Sequence, residues 1–143
     1  MIVHSARFDE LDAHTLYALL KLRTDIFVVE QKCPYPDLDG RDHEPTARHL
    51  WVAPADQPAH PRAYLRVLIE PGGSRRIGRV CTAVTVRGTG LSGLLVAAAL
   101  TGGGSFVLAA QSHLVGFYER FGFVASGPEF IEDGIPHTPM RRG

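Results

Sequence analysis

The chain has 143 residues, 45% of them hydrophobic and 21% charged, a size and balance that fit one globular domain over residues 1–143. Its fifteen basic residues are matched by fifteen acidic ones, which argues against nucleic acid or an anionic membrane as partner, since either favours a basic face. Two cysteines are too few for a disulfide scaffold, and neither the N-terminus nor the apolar run Leu94 to Leu100 is long enough for a signal peptide or a span, so a cytoplasmic protein is expected.

Met1 to Arg7 reads as a first strand. Asp12 is placed to cap a helix running from Ala13 to about Val29. Leu16, Leu19, Leu20, Arg23, Phe27 and Glu30 share one face of it at helical spacing, so an apolar stripe ends in charges. Cys33 to Asp42 is a loop by its prolines, glycine and acids. Arg48 to Ala53 is a strand, and Pro54 to Pro61 turns the chain into a second one, Ala63 to Glu70. There Leu65, Val67 and Ile69 face one way and Tyr64, Arg66 and Glu70 the other. After the turn Pro71-Gly72-Gly73 comes a strand from Ile77 to about Thr85, then a glycine-rich turn and an Ala/Leu-rich helix stopped by Gly102-Gly103-Gly104. Phe106 to Ala110 is a short buried strand, Ser112 caps a helix to about Arg120, and one or two strands follow Phe123. The order β-α-β-β-β-α-β-α-β is a mixed α/β pattern.

The informative turn is Arg87-Gly88-Thr89-Gly90-Leu91-Ser92-Gly93-Leu94, between a strand and a helix. Main-chain amides and the helix dipole can hold phosphate oxygens at such a place. A Walker A loop fails, because Leu94 stands where that loop needs Lys. Gly88, Gly90 and Gly93 do match a dinucleotide fingerprint, but the next strand ends at Gln111 without the acid that would hold a ribose. Glycines that serve packing alone are the plain alternative. Seven histidines raise the question of a metal, yet no Cys-x-x-Cys, His-x-x-x-His or His-Glu-x-x-His spacing occurs, and none is expected.

Arg87-Gly88-x-Gly90-x-Ser92 resembles the Arg/Gln-x-x-Gly-x-Gly/Ala signature of the GNAT N-acetyltransferases, with Ser92 where Gly or Ala is usual. Gln111 to Phe123, with Phe117-Tyr118 and Gly122-Phe123, resembles that family's second coenzyme-binding region. Blocks from Leu16 to Arg23, from Phe27 to Asp42 and from Asp133 to His137 are similar to the ElaA subfamily. The resemblance implies the GNAT acyl-CoA N-acyltransferase fold, a central, mostly antiparallel sheet flanked by helices. It implies acetyl-CoA as co-substrate and direct transfer to a small-molecule or peptide amine in a ternary complex. Arg87, Gly88, Thr89, Gly90, Leu91 and Ser92 would hold the pyrophosphate. Val80, Cys81 and Thr82 would line the acetyl and pantetheine arm, with Gln111, Phe117 and Tyr118 beside it. On the acceptor side it puts Arg23, Phe27, Glu30 and Gln31 with Tyr35 and Asp39, and also His113 and His137. A homodimer is left open.

Acetyl transfer requires a deprotonated amine, a polarised thioester carbonyl and a proton for the departing thiolate. Tyr118 is the expected acid, since a phenol can protonate a thiolate; a tyrosine packed in the core is the alternative. The family resemblance implies that main-chain amides of the Ile77–Thr85 strand polarise the carbonyl. No acid precedes the glycine turn, so Glu30 is the expected base, with His113 and His137 behind it; a surface Glu30 past a frayed helix end is equally consistent. Cys81 reads as a small buried thiol rather than a nucleophile. Arg23 either orients Glu30 or a substrate carboxylate, or bridges the Asp-rich loop internally. Asp37, Asp39, Asp42, Glu132 and Asp133 suit a cationic amine, or are simply solvated. An acyl-CoA-binding module without catalysis is the second reading, and an autoinducer-type synthase a third.

Overall fold

The computed structural model describes all 143 residues. Strands β1 (Ile2–Arg7), β2 (Arg48–Ala53), β3 (Ala63–Ile69) and β4 (Arg75–Thr82) form an antiparallel meander. Strand β5 (Phe106–Gln111) joins β4 in parallel, the one parallel pairing of the sheet. Strand β8 (Ile135–Arg142) runs antiparallel to β5 and carries β6 (Val124–Ala125) and β7 (Phe130–Glu132) on its far side. The sheet is mixed and mostly antiparallel, with helices on both sides, as the family resemblance implies.

Helix α1 (Ala13–Thr24) starts where expected, because the Asp12 carboxylate accepts from the Thr15 amide at 2.7 Å and satisfies one of the orphan donors of the first turn. It does not run uniformly to Val29. From Asp25 to Glu30 the coil widens to a π-helix, a form found frequently at functional sites. The wider turns carry the buried stripe through Ile26 and bring Glu30 out to the surface.

Helices cover both sides of the sheet. On one side Leu95 and Val96 of α2 (Leu91–Ala99) pack with Leu65, Val67, Ile77 and Phe106; on the other Leu19 of α1 and Ile26 pack with Trp51, Tyr64 and Cys81. The alternation along β3 therefore separates two buried faces rather than a core and a wet one. Each fully buried leucine contributes about 1.5–3 kcal/mol relative to exposure, so Leu19, Leu65 and Leu95 anchor their layers.

Three further expectations change. The strand expected from Ile77 to Thr85 ends at Thr82, and Val84–Val86 is a short 3-10 turn. Ser112 caps nothing: its hydroxyl bonds Thr138 Oγ1 at 2.9 Å, a 3-10 turn over Ser112–Leu114 follows, and α3 is only Val115–Glu119. Three strands, not one or two, follow Phe123, since β8 is long enough to pair with β6 and β7 in succession.

Candidate functional site

The parallel pairing of β4 and β5 is confined to Arg75↔Phe106 and Arg76↔Val107, and beyond it the two strands diverge. The β3–β4 register also slips: Tyr64 faces Cys81 while Arg66 faces Gly78, so β4 carries one extra residue. Such a bulge bends its strand and turns main-chain groups out of the ladder. Arg79 lies in it with φ +54°, a conformation that costs a non-glycine residue about 1–2 kcal/mol. Ion pairs to Asp37 at 3.1 Å and Asp39 at 3.3 Å hold the side chain there. The divergence opens a cleft of about 1230 Å³.

One end of the cleft is the glycine-rich turn. Gly88 and Gly90 have φ of +80° and +85°, a left-handed conformation open to glycine with little penalty. The amides of Gly88, Thr89 and Gly90 donate to no acceptor in the protein, and no side chain caps α2 at Gly90. Main-chain donors at the head of a helix are thus unbonded, with Gly88 and Gly90 on the cleft lining, an arrangement suited to phosphate oxygens. Ser92, the departure from the usual Gly or Ala, turns its hydroxyl back to Thr82 Oγ1 at 2.6 Å. It ties the loop to the end of β4.

Tyr118 stands on α3 at the cleft wall, 6% exposed. Its ring packs edge-on against Phe117 and Phe123, while its hydroxyl makes no hydrogen bond to the protein. Burial pushes its pKa up to about 12, so the phenol is protonated at neutral pH. Cys81, in the same lining, is buried and likewise pushed to about 12 by desolvation.

The acceptor half differs most from expectation. Glu30 lines the cleft, but its partner is the exposed Arg87, whose guanidinium grips both carboxylate oxygens at 2.5 and 2.6 Å. That grip holds the Glu30 carboxyl below the usual carboxylate range, the wrong direction for a base in the free protein. Arg23 is a correction. It is 1% exposed, outside the cleft lining, and bonds Asp42 Oδ1 at 2.6 Å and the Asp37 carbonyl at 2.8 Å. Of its two expected roles the structure displays the internal bridge. The acidic loop is corrected with it: Asp37 and Asp42 are buried, and Arg23, Arg66 and Arg79 neutralise them together with Asp39. Only Asp39 of the three still reaches the cleft.

Residues 43–142 match the family model of the acetyltransferase (GNAT) domain. The chain belongs to the GNAT acetyltransferases. It is 39% identical to protein ElaA of Escherichia coli over 144 residues, covering 93% of this chain and 90% of that protein. It is 47% identical to a UPF0039 protein of Mycobacterium tuberculosis over 138 residues, covering 93% and 87%. The crystal structure of E. coli ElaA superposes with a TM-score of 0.91 at 35% identity, and that of an acyl-CoA N-acyltransferase from Pseudomonas aeruginosa with 0.87 at 39%, each covering 100% of both chains.

Within this GNAT scaffold the cleft gathers nearly every residue singled out from the sequence. Val80, Cys81 and Thr82, the turn residues Arg87, Gly88, Gly90, Leu91 and Ser92, and Gln111, Phe117 and Tyr118 all line it. So do Phe27, Gln31, Tyr35, His113 and His137. Thr89 does not; its hydroxyl donates to the Val86 carbonyl at 2.6 Å. Sequence reasoning missed Arg66 and Arg79, which line the cleft from β3 and β4. A charge within an alternating strand was the available signal for Arg66; nothing local marks an arginine for a left-handed bulge. Phe130 was missed too, because β7 was not resolved as a strand.

Proposed function

We propose that residues 1–143 act as one domain that binds acetyl-CoA in the cleft and transfers its acetyl group directly to a primary amine. The observation that carries this is the set of unbonded amides at Gly88, Thr89 and Gly90, beside a helix N-terminus, where two strands part. A diphosphate fits such donors, and Arg87 adds a cation at the same mouth. The pantetheine arm would then run along Val80, Cys81 and Thr82, with the thioester near the β4 bulge and the Tyr118 hydroxyl.

Tyr118 is the proposed acid for the leaving thiolate. Its raised pKa does not disqualify it. A thiolate formed in the same lining is desolvated as well, and burial raises its proton affinity in the same direction. Phe27, Gln31, Tyr35, Asp39 and His113 would border the acceptor, with Glu30 at the rim as a fixed negative charge for a cationic amine.

The test is free-thiol release from acetyl-CoA over a panel of primary amines, comparing wild type with Tyr118→Phe. The variant is expected to keep its affinity for the coenzyme and to lose roughly 10²–10⁴ in kcat. Equal turnover in both proteins removes Tyr118 from the mechanism. Coenzyme binding with no thiol release on any amine favours a binding module.

A further inference from the structure

The transfer also needs a group to deprotonate the amine, and on the cleft lining Glu132 and Asp133 are exposed carboxylates that no side-chain contact fixes in place. Glu30 is engaged at both oxygens by Arg87. Asp39 is bound by Arg66 and Arg79. His113 sits exposed in a short 3-10 turn with no hydrogen bond to fix its ring. His137 differs from all of these.

Its Nδ1 lies 2.8 Å from the Ile135 carbonyl oxygen. A carbonyl only accepts, so Nδ1 carries the hydrogen and donates it. In the neutral ring that leaves Nε2 with a free lone pair, and no group of the protein bonds it. The ring is also held from the side, stacked on Phe130 at 5.7 Å and 22°. Pairing explains the placement: Phe130 and Gln111 both face His137 across β8. Directly opposed residues share one face of a sheet, and all three line the cleft. Tautomer, orientation and location are thus each set by a separate contact.

We propose that His137 is the catalytic base, taking the acceptor's proton at Nε2. This rests on the coenzyme reading above. The acceptor ammonium gives one proton to Nε2, and the freed lone pair attacks the thioester carbon. The C–N bond forms, the tetrahedral adduct collapses, and the C–S bond breaks. The thiolate takes the Tyr118 proton. The second proton lost from nitrogen restores the phenol, and the proton on His137 passes to solvent. One amide, one free thiol and one released proton balance the ammonium and the thioester consumed. While the ring is an imidazolium, its Nδ1–H remains on the Ile135 carbonyl, which stabilises the charge.

The experiment measures thiol release and acetyl-CoA affinity for wild type, His137→Ala and His137→Gln, using spermidine, 1,4-diaminobutane, benzylamine and a lysine-containing peptide as acceptors. Both variants are expected to bind acetyl-CoA as wild type does and to lose roughly 10²–10⁴ in kcat. Added imidazole is expected to restore turnover to His137→Ala in proportion to its concentration, and to do nothing for wild type. Turnover within about twofold of wild type in both variants overturns the role. Loss in both with no response to imidazole overturns it too, because it shows a structural part only. A wild type that releases no thiol with any of these amines overturns the proposed transfer itself, whereas a wild type that turns over beside unimpaired variants overturns only the part given to His137.

Discussion

Arg87 is claimed by two partners. In the free protein it holds Glu30 in a two-pronged pair across the cleft mouth, and its Nε also donates to the Thr82 carbonyl at 3.1 Å. A bound diphosphate would compete for the same guanidinium, so the pair opposes coenzyme binding. Glu30→Gln removes the competitor while keeping size and polarity. Coenzyme affinity is then expected to rise, by roughly two- to fivefold given how little an exposed ion pair is worth. Isothermal titration with acetyl-CoA measures it directly; weaker binding in the variant would show that Glu30 pre-positions Arg87 instead. Both residues were legible as site candidates, one from a charge on an apolar stripe and one from the glycine motif. Their pairing was not, because the two are 57 positions apart and only the π-helical end of the first helix brings them together.

Among the elements, the glycine turn and β4 show what is local and what is not. Gly88 and Gly90 could be recognised because a turn into a helix with left-handed residues has a compositional signature. The space where a Cβ would stand at Gly90 is open, so the cost of a side chain there is backbone conformation alone. Gly90→Ala is therefore expected to cost about 1–2 kcal/mol of stability, read from urea denaturation, and to weaken coenzyme binding by tilting the free amides. Unchanged stability would mean that the turn relaxes without loss. The bulge in β4 left no comparable mark. Arg79 is held in a left-handed conformation by aspartates some forty positions away, and strand propensity carries no information about such partners.

Across the whole molecule, buried charge ties the acidic loop to the sheet and makes the fold sensitive to acid. Burial alone would raise the carboxyls of Asp39 and Asp42, but the bonds from Arg66 and Arg23 outweigh it and hold both below the usual range. Burial lowers His49, whose Nε2–H donates to the Asp42 carbonyl and whose Nδ1 accepts from the Tyr64 hydroxyl. In all three the unfolded chain binds protons more readily than the folded one, so stability is lost as pH falls. The melting temperature is expected to decline gently below about pH 6.5, as unfolded histidine gains its proton, and steeply below about pH 4, as unfolded aspartate does. A melting temperature unchanged down to pH 3 would refute this account of the network. No helix is long and apolar enough to cross a membrane.

What the chain order determined without help is what rests on neighbours: most of the strands and helices, the cap at Asp12, the glycine turn and the Phe117-Tyr118 pair, because periodicity, turn chemistry and short motifs are written in consecutive residues. What only the tertiary structure decided is which charges meet. Arg23 turned inward to Asp37 and Asp42, Arg87 took Glu30, and His137 was fixed by a carbonyl on its own strand and a ring on the next. Ion pairing and desolvation depend on distance in space, and that distance exists only once the sheet has brought separate segments side by side.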